Sequence, residues 1–137
     1  MAGMDDFVKF LRARIDEDEA IAKAPTHATW ATAEWRFGEV DGASYVDLGT
    51  NHLDRVSSLT DAEMEHIARH DPVRVLREVD AKRRILAEHD EVAAGAASDD
   101  WLIRDPSRAV LRILDPVLRT LALPYADHPD YRNSWRP

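Results

Sequence analysis

Residues 63–70 set a glutamate and two histidines, Glu63, His66 and His70, at helical spacing. At about 100° per residue the three fall within about 60° of one another, on one helix face. Imidazoles four residues apart can chelate a divalent metal, and a carboxylate one turn earlier can supply a third ligand. Such a centre would suit metal-assisted hydrolysis. The stretch lacks the H-E-x-x-H order that puts a general base beside the first histidine. It also lacks the second Glu-x-x-His of a dinuclear carboxylate site. Further ligands would have to come from His52, His89, His128 or Asp71, and the spacing favours none of them. The competing reading is structural: the histidines end one helix, and Asp71-Pro72 opens the next.

Charges inside apolar stripes are a second signal. Pro72, Val75, Leu76, Val79 and Leu86 mark one face of a long helix, and Lys82 and Arg83 fall inside it. In the first helix Asp18 lies near the centre of the apolar stripe and Arg14 at its edge. A buried charge is costly unless paired, so Asp18 is expected to pair with Arg83 or Lys82. Two alternatives stand beside that pairing. The long side chains can lay their stems on apolar surface with their heads in water, or they can line a pocket for a carboxylate or phosphate. Toward the C-terminus, Tyr125, His128, Tyr131 and Trp135 are candidates for partner contact. The same rings could instead pack on their own domain with polar tips hydrogen-bonded. Ser57, Ser58, Ser107 and Ser134 have no G-x-S-x-G context for nucleophilic catalysis.

The elements that must position these residues follow from periodicity and punctuation. Phe7, Val8, Leu11, Ile15 and Ala22 predict a helix over 4–23, stopped near Pro25. A small antiparallel sheet is expected over 29–58, with Asp41-Gly42 as a two-residue hairpin turn. Its register sets Phe37 against Val46 and Arg36 against Asp47, and residues 52–58 are a candidate third strand. Thr60-x-x-Glu63 has the form of a capping box opening a helix over 61–70. Asp71-Pro72 opens the next helix, over 72–90. A loop over 91–104 precedes a helix over 106–123, kinked at Pro116, with Val110, Leu114, Val117, Leu118 and Leu121 on its core face. An extended aromatic tail over 124–137 completes an α+β, single-domain reading.

Composition narrows the function classes. The 137 residues are 45% hydrophobic and 32% charged, a globular composition. The net charge of −8 argues against wholesale binding of a phosphate backbone. There is no cysteine, which removes disulfides, thiolate catalysis and Cys-ligated metals. No apolar run reaches the roughly 20 residues of a membrane span, and no signal peptide is recognisable, so a cytoplasmic location is expected.

Three blocks, MDDFVKFLRARIDEDE, HIARHDPVRVLREVDAKRRIL and LALPYADHPDYRNSWRP, occur in that order. Together they resemble a small family labelled only as a domain of unknown function, from actinobacteria, notably Streptomyces, and their phages. The region after the first helix is more distantly similar to small accessory proteins of temperate phages, whose A-T-P-G-P-W turn is replaced here by Ala24-Pro25-Thr26-His27-Ala28-Thr29-Trp30. The resemblance carries over no activity and no catalytic residue. It implies a small cytoplasmic protein associated with mobile elements, with Met4 as the natural start.

The leading expectation is a non-catalytic accessory module that binds a protein partner, a homodimer being one form of this, with no cofactor. The alternatives are a small metal-dependent hydrolase using Glu63, His66 and His70, and a binder of an anionic small molecule or nucleic-acid segment through Lys82 and Arg83.

Overall fold

A computed structural model describes residues 2–26, 32–48 and 59–137. Its order is α1 (Ala2–Lys23), β1 (Arg36–Val40), β2 (Ala43–Asp47), α2 (Asp61–Arg69), α3 (Pro72–Ala96) and α4 (Trp101–Leu121). Short 3-10 turns follow α1 at Ala24–Thr26 and α4 at Leu123–Tyr125 and Asn133–Trp135. The fold is α+β, four helices with a two-stranded antiparallel sheet inserted after the first. The candidate third strand, with His52, Ser57 and Ser58, lies outside the described residues. The chain forms two compact units, residues 16–79 and residues 1–15 with 80–137.

In the unit of residues 16–79 local chemistry settles each element. Asp41 and Gly42 both adopt positive φ, 52° and 77°, as a type I′ turn requires. The strands pair in the expected register, Phe37 with Val46 and Arg36 with Asp47. Helix α2 lies against the hairpin, and Val46, Met64, Ala22 and Val79 are buried in this unit. The capping box forms: Thr60 Oγ1 accepts from Glu63 N, and Glu63 Oε2 accepts from Thr60 N at 2.8 Å. Asp71 caps α3 through Arg74 N, which donates to its Oδ1 at 2.8 Å. Its other oxygen accepts from Trp35 N at 3.2 Å. Val73 N donates to Ala33 O at 3.0 Å, so one buried carboxylate and one backbone bond fasten the start of α3 to the approach to the sheet.

In the other unit three boundaries differ from expectation. Helix α3 runs to Ala96, taking in residues expected to be loop, because the small run Val92-Ala93-Ala94-Gly95-Ala96 propagates helix through its alanines. Gly95 sits where α3 meets α4: a Cβ there would stand 3.2 Å from Ser107 Cβ and collide with its hydroxyl. Helix α4 starts at Trp101, not at Pro106, since Asp100 accepts from Leu102 N at 2.9 Å and caps it first. It continues undivided through Pro106 and Pro116. The tail is not extended but coils in 3-10 turns that bury Trp135.

The core of this unit gathers Phe7, Phe10, Leu11, Ile15, Leu86, Leu118, Ala122 and Trp135. The expected core face of α4 is corrected here. Leu118 is fully buried and Leu114 and Leu121 are half-buried, but Val110 and Val117 point outward. Among the described residues no helix is long and apolar enough to cross a membrane.

Candidate functional site

Helix α2 holds Glu63, His66 and His70 on one side, but the three do not converge. The Glu63 carboxylate accepts from both the amide and the hydroxyl of Thr60. Those two bonds favour its charged form and hold its pKa below the ordinary value of 4.5. The rings of His66 and His70 lie 4.3 Å apart between centroids. His70 is the C-cap residue, and its Nδ1 is 2.9 Å from His66 O, where a protonated Nδ1 donates. A cleft of about 410 Å³ is bordered by Leu59, Ala62, Glu63, His66 and Ile67, but not by His70. Among the described residues, no group of three or more His, Asp or Glu side chains is gathered as a metal centre.

Of the charges expected inside apolar stripes, Lys82 is placed most clearly. Its ammonium donates to Tyr125 Oη at 2.9 Å and lies 5.1 Å from the centre of that ring. Two candidates named for different reasons thus meet each other. Arg83 and Asp18 are half-buried and each has a polar or ring partner. Asp18 belongs to residues 16–79, Lys82 and Arg83 to the other unit.

The remaining tail candidates pack on α1. Phe10 is the hub: its ring centre lies 5.6 Å from His128, 5.8 Å from Tyr131 and 5.1 Å from Trp135, and Trp135 also meets Phe7 edge-on at 5.5 Å. Cations brace the rings. Arg14 is hydrogen-bonded to the His128 ring and lies over Phe10. Arg132 stacks over Trp135 and pairs with Asp6 at 3.1 Å. Arg119 covers Phe7 and donates to Ser134 O at 3.0 Å. Beside this corner runs a groove of about 490 Å³, with Phe10, Tyr131 and Trp135 as its aromatic wall. Lys9, Arg14 and Arg132 contribute positive charge to it, and Asp6 and Asp130 negative charge. The Tyr131 hydroxyl is buried without a hydrogen-bond partner, a condition that calls for an explanation in a native site.

The outward side of α4 is the opposite kind of surface. Leu102 is 63% exposed, Ile103 51%, Val110 42%, Ile113 68% and Val117 40%. From Ile103 on, with Pro106, they recur at alternating intervals of three and four residues, the spacing of a helix–helix seam, and Leu102 flanks its start. Ala109, Pro116 and Thr120 extend the same uncharged arc to about 140° of the helix circumference. Asp105, Arg108 and Arg112 stand on the remaining exposed side.

Sequence reasoning missed two features here. Phe10 lies one helical turn after Phe7 and should have been placed in the first stripe. His89 is buried in line with Lys82 and Leu86, with Nε2 3.5 Å from an oxygen of Asp115 on α4 and Nδ1 3.7 Å from Asp90. Its position three residues after Leu86 was the available signal.

The fold and these surfaces define a small α+β protein with an exposed apolar helix face and an aromatic corner. The chain belongs to the family of unknown function DUF6221, whose model matches residues 4–137. No curated protein matches the chain. No solved structure matches it either.

Proposed function

We propose that the protein is a non-catalytic, cytoplasmic interaction module whose docking surface is the outward side of α4. The observation that carries this reading is a continuous, charge-free stripe left open to water. Leu102, Ile103, Val110, Ile113 and Val117 expose on the order of 500 Å² of apolar surface, near the upper end of the roughly 300–600 Å² of a typical monomer's largest patch. An apolar patch of that extent on an acidic chain favours association over simple solvation. The mobile-element setting suggested by the sequence resemblance fits an accessory module and belongs to the same proposal. The test is Ile113→Asp. It should leave far-UV circular dichroism unchanged, leave the melting temperature of dilute, unassociated protein unchanged, and abolish capture of the physiological partner in the host. Full capture by the folded variant contradicts the reading.

The groove beside Phe10 supports a second reading, binding of a small organic anion. Its aromatic wall can stack a planar group, and Lys9 lies beside it for a carboxylate or phosphate. Benzoate and phenyl phosphate should raise the melting temperature through linkage to the native state. Lys9→Glu should remove the shift, and an equal shift in the variant contradicts specific binding.

A further inference from the structure

The stripe on α4 also constrains what covers it. This inference rests on the reading of that face as a docking surface and goes on to name the partner. A charge-free arc selects against a charged partner, because burying an unpaired charge against it has no compensation. It offers no hydrogen-bonding groups beyond Thr120, so it also lacks the means to read an extended peptide backbone. What it matches is another uncharged, β-branched helix stripe. The one such surface among the described residues is the stripe itself.

Area supports the same conclusion. With the exposed rim of Pro106, Ala109, Pro116 and Thr120, each copy would contribute roughly 700 Å², and two copies roughly 1,400 Å², inside the 1,200–2,000 Å² of standard stable interfaces. A two-fold axis uses every residue twice, so one stripe is sufficient for closure. Charges beside the seam do not oppose self-pairing. Arg108 and Arg112 lie toward the other side of α4, away from the seam, so two copies meet there without like-charge contact.

We propose that two copies of this chain associate through α4, packed antiparallel about a two-fold axis passing between Val110 and Ile113. Antiparallel packing opposes the helix dipoles and sets Ile113 of one copy against Val110 of the other. Ile103 and Val117 close the two ends of the seam.

The chain has no cysteine, so Ile113→Cys gives a single thiol that can carry a benzophenone-maleimide photo-crosslinker. Irradiating the purified labelled chain should yield an adduct at twice the chain mass. The same label in a Val110→Asp background should reduce that yield at least tenfold, while circular dichroism stays unchanged. If adducts form in host lysate at other masses and none forms at twice the chain mass, self-association is overturned while the docking reading stands. If no adduct forms in either setting, both are overturned. Flotation of adduct-free protein with phosphatidylserine/phosphatidylcholine vesicles would also overturn self-association, by assigning the stripe to a membrane surface.

Discussion

The corner where the tail meets α1 and the outward side of α4 use apolar residues to opposite ends. At the corner, Phe7, Phe10 and Trp135 cover one another almost completely, and Arg14, Arg119 and Arg132 lie over their faces. On α4 the equivalent surface is left bare, with Ile113 still 68% exposed. Both features lie in the unit formed by residues 1–15 and 80–137, so a shortage of apolar material in that unit cannot account for the difference. The corner is closed by a segment that coils back onto a helix of its own chain. The stripe is aliphatic, unbraced and charge-free. The first arrangement is that of a core, and the second is the one we propose as an interface.

The sharpest way to break this contrast is to open the corner. Trp135→Ala should cost about 3–5 kcal/mol in urea denaturation, the range for truncating a buried aromatic residue. A loss below about 1 kcal/mol would mean that the tail is an ornament on the unit and not part of its core. Asp71→Ala should cost about 1–3 kcal/mol, because it removes the cap of α3 and leaves Trp35 N without its acceptor. Asp71→Asn should recover part of the loss, since the amide oxygen can still accept one of the two bonds.

A smaller effect is expected at the capping box. Thr60→Ala should cost about 1 kcal/mol. Glu63 has a folded pKa below its ordinary value because Thr60 donates to its charged form. Its contribution is therefore fully present above the ordinary glutamate range and fades as pH falls through the lowered folded pKa. Amide exchange in the first turn of α2, corrected for intrinsic rates, should rise across that acidic window. Glu63→Gln should flatten the pH dependence, and an unchanged profile in that variant would assign it elsewhere. The smallest effect on folding should come from the stripe, where, in protein dilute enough to keep both chains monomeric, Ile113→Asp is expected to shift unfolding stability by no more than about 0.5 kcal/mol, as exposed positions do. A large loss there would show that the residue is needed within its own chain.

What the sequence made legible was set by range. The hairpin register, the Asp41-Gly42 turn, the Thr60 capping box and the Asp71 cap each depend on neighbours a few residues away, and the structure shows all of them. Helix ends that depend on competition were harder. Asp100 and Asp105 are both plausible caps, and the earlier one starts α4. The metal reading of Glu63 and the capping-box reading used the same carboxylate twice, and the structure turns it to Thr60. Periodicity identified an apolar side of α4, but an arc that wide serves two surfaces, and nothing in spacing tells which part is covered. Val110 and Val117, expected inward, lie on the uncovered part. The groove beside Phe10 was not legible because it exists only once the tail has folded back onto α1. Lys82 is legible as a charge in an apolar stripe, but its partner Tyr125 lies far along the chain and no local rule links them.

Sedimentation equilibrium of the unmodified chain, beside the double variant Val110→Asp/Ile113→Asp, tests the account most directly. At roughly 100 µM, well above the Kd of an interface of micromolar strength, the unmodified chain should sediment at twice its chain mass and the folded double variant at the chain mass. A monomeric unmodified chain, or a double variant that still dimerises, contradicts it.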